Sequence, residues 1–284
     1  FLMKNPDNFP GPISKKRKEM LDFSNAKIDS HTTIGRPYPY KDSSLQSHIF
    51  GPNLYFSDSF KNLFENGEEG MKGYIQKTLE GKKGEAIGVE FGGPATNLFR
   101  SFDKGFFKRS IGVTLVDHRK DSRKKPYPSN SPLVILNENI INDNHDVLEG
   151  DIFKQETYEN LSKRLNGEKV DFIMERMEGG LRMVPSDPYT MGKILENWYE
   201  LLNEGGIMFV QSPVVFNNLL EKWVDKIKSE FGNVIEVEYK KGTEDFTPAC
   251  SAFRLRKLPG APSKLPLLDI STVKETQMRN SMFN

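Results

Sequence analysis

Four acidic residues lie at or just after the ends of apolar segments that are typical of strands: Glu90, Asp117, Asp151 and Glu175. Chance placement explains one or two such positions, so four indicate a shared edge. The carboxyl ends of parallel strands meet at one edge of a sheet, and ligands bind there. A carboxylate accepts hydrogen bonds from hydroxyls and amines and repels phosphate. The acids therefore favour a ligand that is cationic or carries hydroxyl groups.

A tight turn follows the first of these acids. The apolar run at 86–91 breaks into Gly92-Gly93-Pro94, and a helical pattern with apolar positions at Leu98, Phe99 and Phe102 comes next. A strand that enters a helix through a glycine-bearing turn lets the backbone approach a ligand closely. We expect this turn to be the centre of the binding site.

The remaining elements predict the sheet that carries the acids. Apolar, β-branched runs predict further strands at 111–116, 147–153, 170–175, 207–210, 234–239 and 252–255. Helical periodicity separates most of them, which implies a mostly parallel sheet with helices on both faces. The last two strands have no helix between them and predict an antiparallel hairpin. The fold class is thus α/β, a Rossmann-like sheet of seven strands with a C-terminal hairpin and an irregular N-terminal arm. Residues 133–136 fit helix or strand equally well.

Three regions differ in composition. Prolines and aromatic residues alternate through residues 1–57, which we interpret as an arm or lid. Residues 58–258 contain the predicted sheet and helices. Residues 259–284 are polar and proline-bearing and predict a C-terminal surface tail.

Composition excludes several classes of protein. The chain of 284 residues has 40 Lys and Arg against 39 Asp and Glu, so no overall field attracts nucleic acid. No apolar run approaches the roughly 20 residues of a membrane helix. The single cysteine, Cys250, excludes an internal disulfide and suits a reducing compartment, so we expect a cytoplasmic protein. Whether a targeting segment precedes Phe1 is left open by the sequence. No histidine has metal-ligand spacing to the cysteine, and we expect no metal.

Residues from about 58 to 256 resemble the class I S-adenosylmethionine-dependent methyltransferases. The resemblance lies in the order of an acid and glycine turn (Glu90 to Pro94), an acid after the second strand (Asp117), and Gly150-Asp151 after the third. The Leu-Leu-Asn-Glu-Gly-Gly run before the fifth strand and the final hairpin are also similar. Where the family usually has glycine, this chain has Pro94, which removes one backbone donor.

The resemblance implies S-adenosylmethionine as cofactor and a role for each matching position. Asp117 would bind the ribose hydroxyls and Asp151 the adenine, while the end of the fourth strand would face the sulfonium. The implied cofactor-binding residues are Glu90, Phe91, Gly92, Gly93, Pro94, Asp117, His118, Asp151, Ile152 and Glu175. The implied acceptor-side residues are Glu175, Arg176 and Glu178, and the resemblance assigns no catalytic residue among them.

Simpler interpretations exist for these residues. Glu90 and Asp117 are also compatible with surface acids, and Asp151 with the N-cap of a helix. Glu175 and Arg176 fit a structural ion pair as well as a substrate site. Asp187-Pro188 is a helix start, with an N-cap residue and proline at the first helical position.

Three functions remain open from the sequence. The first is a methyltransferase with an undetermined acceptor, for which the near-zero charge favours a small molecule over RNA. The alternative is an inactive methyltransferase-like scaffold that binds protein or RNA, as Pro94 and the basic runs at 15–18 and 119–125 suggest. The third is a nicotinamide-dependent oxidoreductase, which the missing third glycine of G-x-G-x-x-G disfavours. The oligomeric state is not predicted.

Overall fold

The structure is a computed structural model, and it describes residues 60, 62–93, 95, 98–99, 101–114, 144–150, 152, 154–175, 188–243, 250–266 and 268. Several predictions fall outside these residues: the arm at 1–57, the alternatives at 133–136, and the site residues Pro94, Asp117, His118, Asp151, Arg176 and Glu178.

Strands and helices alternate through the described chain. The strands are β1 (Ala86–Phe91), β2 (Phe107–Thr114), β3 (His145–Glu149), β4 (Val170–Glu175), β5 (Leu202–Pro213), β6 (Ile235–Lys240) and β7 (Cys250–Lys257). The helices are α1 (Gly67–Thr78), α2 (Gln155–Arg164), α3 (Pro188–Leu201) and α4 (Asn217–Phe231), with short 3₁₀ turns at Glu80–Lys82 and Val214–Phe216. Leu98 and Phe99 are also helical.

The seven strands form one sheet in the order β3-β2-β1-β4-β5-β7-β6. Strands β1 to β5 pair in parallel. Strand β7 is antiparallel to both of its neighbours, β5 and β6. The predicted architecture is therefore confirmed: a mostly parallel, Rossmann-like sheet with an antiparallel C-terminal pair.

Some boundaries differ from the predicted ones. Strand β2 begins at Phe107 rather than at residue 111: Lys108 and Arg109 interrupt the apolar pattern, but Phe107 and Arg109 still pair with β1, with an irregularity of the register at Lys108. Strand β5 begins at Leu202, which pairs with Val170, and the left-handed Gly205 (φ +79°) lies within it instead of separating it from α3. Pairing in the sheet thus extends beyond the apolar runs.

The sheet buries one apolar cluster on each face. Ile87, Val89 and Phe91 of β1 belong to a cluster with residues of α2, α3 and α4. Ala86 belongs to the other cluster, which contains α1 residues and many phenylalanines. Both tryptophans and Cys250 are buried core residues, as the sequence predicts.

Gly88 lets the segment after β1 pack directly onto the sheet. A Cβ atom at Gly88 would lie 2.3 Å from Cε1 of Phe99 and 3.2 Å from Cε1 of Phe107. The Phe99 ring makes an edge-to-face contact with Phe107, with centroids 4.9 Å apart. The absent side chain therefore decides how closely this helical segment approaches β1.

Asp171, near the start of β4, links neighbouring strands at the edge of the sheet where the parallel strands begin. Its carboxylate accepts hydrogen bonds from the backbone N–H of Ile87 at 2.9 Å and from Asn203 Nδ2 at 3.0 Å, and it pairs with Lys82. These partners lie where β1 and β5 begin, so one buried acid holds three strands in register.

The first part of the predicted tail is anchored to the helices. Tyr199 of α3 donates a hydrogen bond to the Pro262 carbonyl at 2.8 Å, and Trp223 of α4 donates one to the Pro266 carbonyl at 2.6 Å. Leu265 and Leu268 are buried in the core. Residues 258–266 therefore form a strap over α3 and α4. No helix among the described residues has the length and apolarity to cross a bilayer.

Replacing Tyr199 with phenylalanine tests the strap. Burial raises the pKa of Tyr199 to about 12 from its usual 10. The folded state therefore keeps the phenol proton where the unfolded chain loses it, and wild-type stability falls as pH rises from 10 toward 12. At pH 8 we expect Tyr199→Phe to lower the free energy of unfolding by about 1 kcal/mol through the lost hydrogen bond. At pH 11 we expect that difference to become small, because only the wild type has the raised tyrosine pKa and so loses on the order of 1 kcal/mol of stability there. Urea unfolding of both proteins at pH 8 and pH 11 measures the difference in the free energy of unfolding. An equal difference at both pH values would contradict the raised pKa of Tyr199 and its hydrogen bond to the strap.

Replacing Gly88 with alanine tests the contact with Phe99. The added methyl group would overlap the ring, so we expect Gly88→Ala to lower the free energy of unfolding by about 1–3 kcal/mol. The second substitution Phe99→Leu should restore part of this loss, because it removes the overlapping ring atoms. Gly73 of α1 is the control, since a Cβ atom added there would have no other atom within 4 Å. Gly73→Ala should raise stability by about 0.5–1 kcal/mol through helix propensity. Unfolding in urea distinguishes the two glycines, and equal effects would refute the steric explanation.

Candidate functional site

The strand order places a switch point between β1 and β4. From β1 the sheet continues through β2 and β3 in one direction, and from β4 through β5 in the other. Phe91 and Glu175, the last residues of the two strands, are paired in register. Ligands of open α/β sheets bind outside the carboxyl ends of the strands at such a point. The turn after β1 therefore lies at the switch point.

Glu90 is fully buried and bonds to this turn. Its Oε2 atom accepts a hydrogen bond from the backbone N–H of Ala95 at 2.7 Å, and the residue has 0% exposure. The turn bends sharply: Gly92 has φ +94° and Ala95 has φ +61°. The Gly92 N–H donates to the Val113 carbonyl at 2.8 Å, which joins the turn to β2. The alternative interpretation of Glu90 as a surface acid is wrong.

Glu175 is the corresponding acid at the end of β4. It is also fully buried, and its Oε2 atom accepts a hydrogen bond from the Gln211 backbone N–H at 2.7 Å. Side chains alternate between the faces of a strand, so Glu175 lies on the face of Ile173 and Phe91, whereas Glu90 lies on the face of Gly88. The switch point thus has one buried carboxylate on each side of the sheet.

Two other predicted site residues contribute their side chains to the core. The Phe91 ring stacks on Trp198 with centroids 4.7 Å apart and is fully buried. Ile152 is 5% exposed, and its carbonyl accepts a hydrogen bond from the Tyr158 hydroxyl at 2.9 Å. The side chains of Phe91 and Ile152 therefore belong to the core rather than to an open binding surface.

Sequence reasoning missed two residues that contact the acids. Gln211 contacts Glu175 through its backbone N–H, so its side-chain type gave no signal. Ala95 carried no signal, since left-handed positions usually contain glycine or asparagine. Asp117 and Asp151 stay predictions, because they lie outside the described residues. In the described part of the chain no three His, Cys, Asp or Glu side chains converge to hold a metal ion.

Comparison with known proteins gives structural similarity alone. No protein-family model matches the chain, and no curated protein matches it. Among solved structures, an rRNA methylase from Streptococcus thermophilus is 15% identical with a TM-score of 0.40, over 67% of this chain and 96% of that one. Human methyltransferase-like protein 13, solved with S-adenosylhomocysteine (SAH), is 12% identical with a TM-score of 0.41, over 74% of this chain and 86% of that one.

The MycE methyltransferase from the mycinamycin biosynthetic pathway, solved with Mg and SAH, is 11% identical with a TM-score of 0.40, over 96% of this chain and 65% of that one. Such distant similarities carry no argument about activity. The architecture rests on this chain's own strand order: five parallel strands with a switch point between β1 and β4, and a final strand inserted antiparallel beside β5. The chain has a Rossmann-like α/β fold with the mostly parallel sheet and antiparallel C-terminal pair that the resemblance to class I methyltransferases implies.

Proposed function

We propose that this protein is an S-adenosylmethionine-dependent methyltransferase. The observation that carries the proposal is the turn from Glu90 to Ala95, which lies at the switch point of the sheet and is bent by two left-handed residues. Backbone in unusual conformations that the surrounding structure holds in place is concentrated at ligand sites.

The charge at the switch point fits this cofactor better than a phosphate ligand. Glu90 and Glu175 place two buried carboxyl groups beside the ends of β1 and β4. Carboxylates repel a phosphate, and S-adenosylmethionine carries a sulfonium and an ammonium group but no phosphate. The donors and acceptors present are thus compatible with the cofactor.

We assign the cofactor to the ends of β1, β2 and β3. The turn at residues 90–95 would bind the methionine part, Asp117 the ribose hydroxyls, and Asp151 the adenine amine. His118 and the backbone of Ile152 would lie beside the adenosine. A carboxylate can accept from both hydroxyls of a ribose, which makes Asp117 the position that affinity depends on most.

S-adenosylmethionine supplies an electrophilic methyl group when it is bound. Methyl transfer is an in-line displacement, and correct positioning of the two reactants can provide a large part of the rate acceleration. The resemblance implies that the methyl acceptor binds beside the end of β4. The residues on that side are Glu175, Arg176 and Glu178. The near-zero net charge supports a small-molecule acceptor, because binding RNA relies on clustered positive charge.

A scaffold without cofactor is the second candidate. One observation favours it: the N–H groups of Gly92 and Ala95 already donate to Val113 and Glu90, and proline at position 94 has no N–H to donate. The turn therefore offers fewer backbone donors to the carboxylate of the methionine part than a turn with free amides.

Calorimetric titration with SAH separates the two candidates. We expect micromolar affinity for the wild-type protein. Asp117→Asn should weaken binding at least about tenfold, equivalent to about 1.4 kcal/mol, because it removes a charged double acceptor from the ribose hydroxyls. Asp103→Asn is the matched control, since Asp103 is exposed in the segment before β2, and its affinity should equal that of the wild type.

Absence of binding by the folded wild-type protein would refute the methyltransferase proposal and support the scaffold. Equal affinity in Asp117→Asn and the wild type would refute the assigned position of the ribose.

A further inference from the structure

Ala95 adopts a backbone conformation that L-residues rarely occupy. Its φ of +61° lies in the left-handed region, where a Cβ atom approaches the following carbonyl oxygen too closely. The residue is fully buried, so hydrogen bonds to water do not offset the energetic cost of this backbone conformation. Some interaction within the protein must therefore stabilise this conformation.

The Glu90 carboxylate is placed to do so. Its Oε2 atom lies 2.7 Å from the Ala95 nitrogen, in the distance range of charge-assisted hydrogen bonds. Both residues are fully buried, and such a bond is stronger where water is excluded. Glu90 is also fixed at its own backbone, because it lies within β1 between β2 and β4. Strand β1 thus fixes the position of the Glu90 carboxylate, and the carboxylate in turn fixes the Ala95 N–H group.

We propose that Glu90 is a positioning residue, whose carboxylate holds Ala95 in the left-handed conformation and thereby sets the shape of the cofactor-binding turn. The inference rests on the proposed function for its effect on affinity. It changes the role that the sequence implies for Glu90, from direct contact with the cofactor to control of the turn that makes the contact.

The two roles depend on different properties of the side chain. Holding the amide requires an acceptor atom at the right place, and a glutamine side chain can provide one without charge. Attraction of the ammonium group, which S-adenosylmethionine and SAH share, requires the negative charge itself. Glycine at position 95 adds a second distinction, because glycine adopts the left-handed region without a steric penalty and needs less support.

The experiment is a double-mutant cycle with Glu90→Gln, Glu90→Met, Ala95→Gly and Glu90→Met/Ala95→Gly. Methionine keeps the volume of the side chain but lacks a comparable acceptor. We expect Glu90→Met to weaken SAH binding at least about tenfold when residue 95 is alanine. When residue 95 is glycine, the same substitution should weaken binding less than about threefold. The difference between the two effects measures the energetic coupling of the contacting residues. Glu90→Gln should retain affinity within about threefold, because its amide oxygen can accept the Ala95 N–H.

Glu175→Met is the matched control, because Glu175 is a second buried carboxylate that accepts a backbone N–H, from Gln211 rather than from Ala95. Its effect should be the same with alanine or glycine at position 95. Two results would overturn the inference: an equal loss of affinity in Glu90→Gln and Glu90→Met, or an equal loss for Glu90→Met in both backgrounds.

Urea unfolding of the same proteins keeps the inference separate from the proposed function. Glu90→Met should lower the unfolding midpoint more in the Ala95 background than in the Ala95→Gly background. If the wild-type protein binds no SAH, the proposed function fails and the unfolding cycle alone decides whether Glu90 sets the turn. Additive shifts of the midpoint would refute it.

Discussion

Burial of two carboxyl groups at the centre of the sheet is the constraint on which the candidate site depends. Transfer of a carboxylate from water into a protein interior is unfavourable unless hydrogen bonds replace its hydration. Glu90 and Glu175 meet this requirement in the same way, since each accepts a backbone N–H from a neighbouring segment at 2.7 Å. The acids therefore do more than carry charge: they determine the course of the turn after β1 and the alignment of β4 with β5.

The phenylalanine-rich face of the sheet complements these polar contacts. Phe99, Phe107 and Phe172 contact one another mainly edge to face, with centroids 4.9 to 6.1 Å apart. Aromatic pairs in this geometry add about 0.5–1.5 kcal/mol beyond the burial of their area. The Phe99 ring lies over Gly88, two residues before Glu90. Polar and aromatic contacts thus fix the start of the same turn from the same face of β1.

The sequence predicts a feature of this structure well when the contacts that form it are local in the chain, and poorly when they join distant segments. Strand β4 has the predicted bounds, because four of its six residues are apolar and buried. Strand β2 begins earlier than predicted, because Arg109 is charged but still pairs with Ile87 of β1. The sequence identifies Asp171 only as a strand residue, since its partners Lys82 and Ile87 are more than 80 positions away in sequence. Sequence patterns report local burial, whereas this acid is satisfied by tertiary contacts.

The candidate site shows the same division. The acids and the glycine turn are predictable because their types and spacing are visible in the sequence. The left-handed conformation of Ala95 is not, because alanine has no preference for it and the bond from Glu90 decides it. The anchoring of residues 258–266 is also hidden, since the polar, proline-bearing segment uses its carbonyl groups rather than its side chains to bind Tyr199 and Trp223.

The position of β7 has a consequence for biosynthesis. It is the last strand along the described chain, yet it lies between β5 and β6, which do not pair with each other. During translation β6 emerges from the ribosome before the strand that joins it to the sheet. The edges of β5 and β6 that β7 occupies therefore remain unpaired until residues near Lys257 have emerged. Since exposed strand edges are prone to intermolecular pairing, nascent chains arrested between β6 and β7 are the species most in need of chaperones.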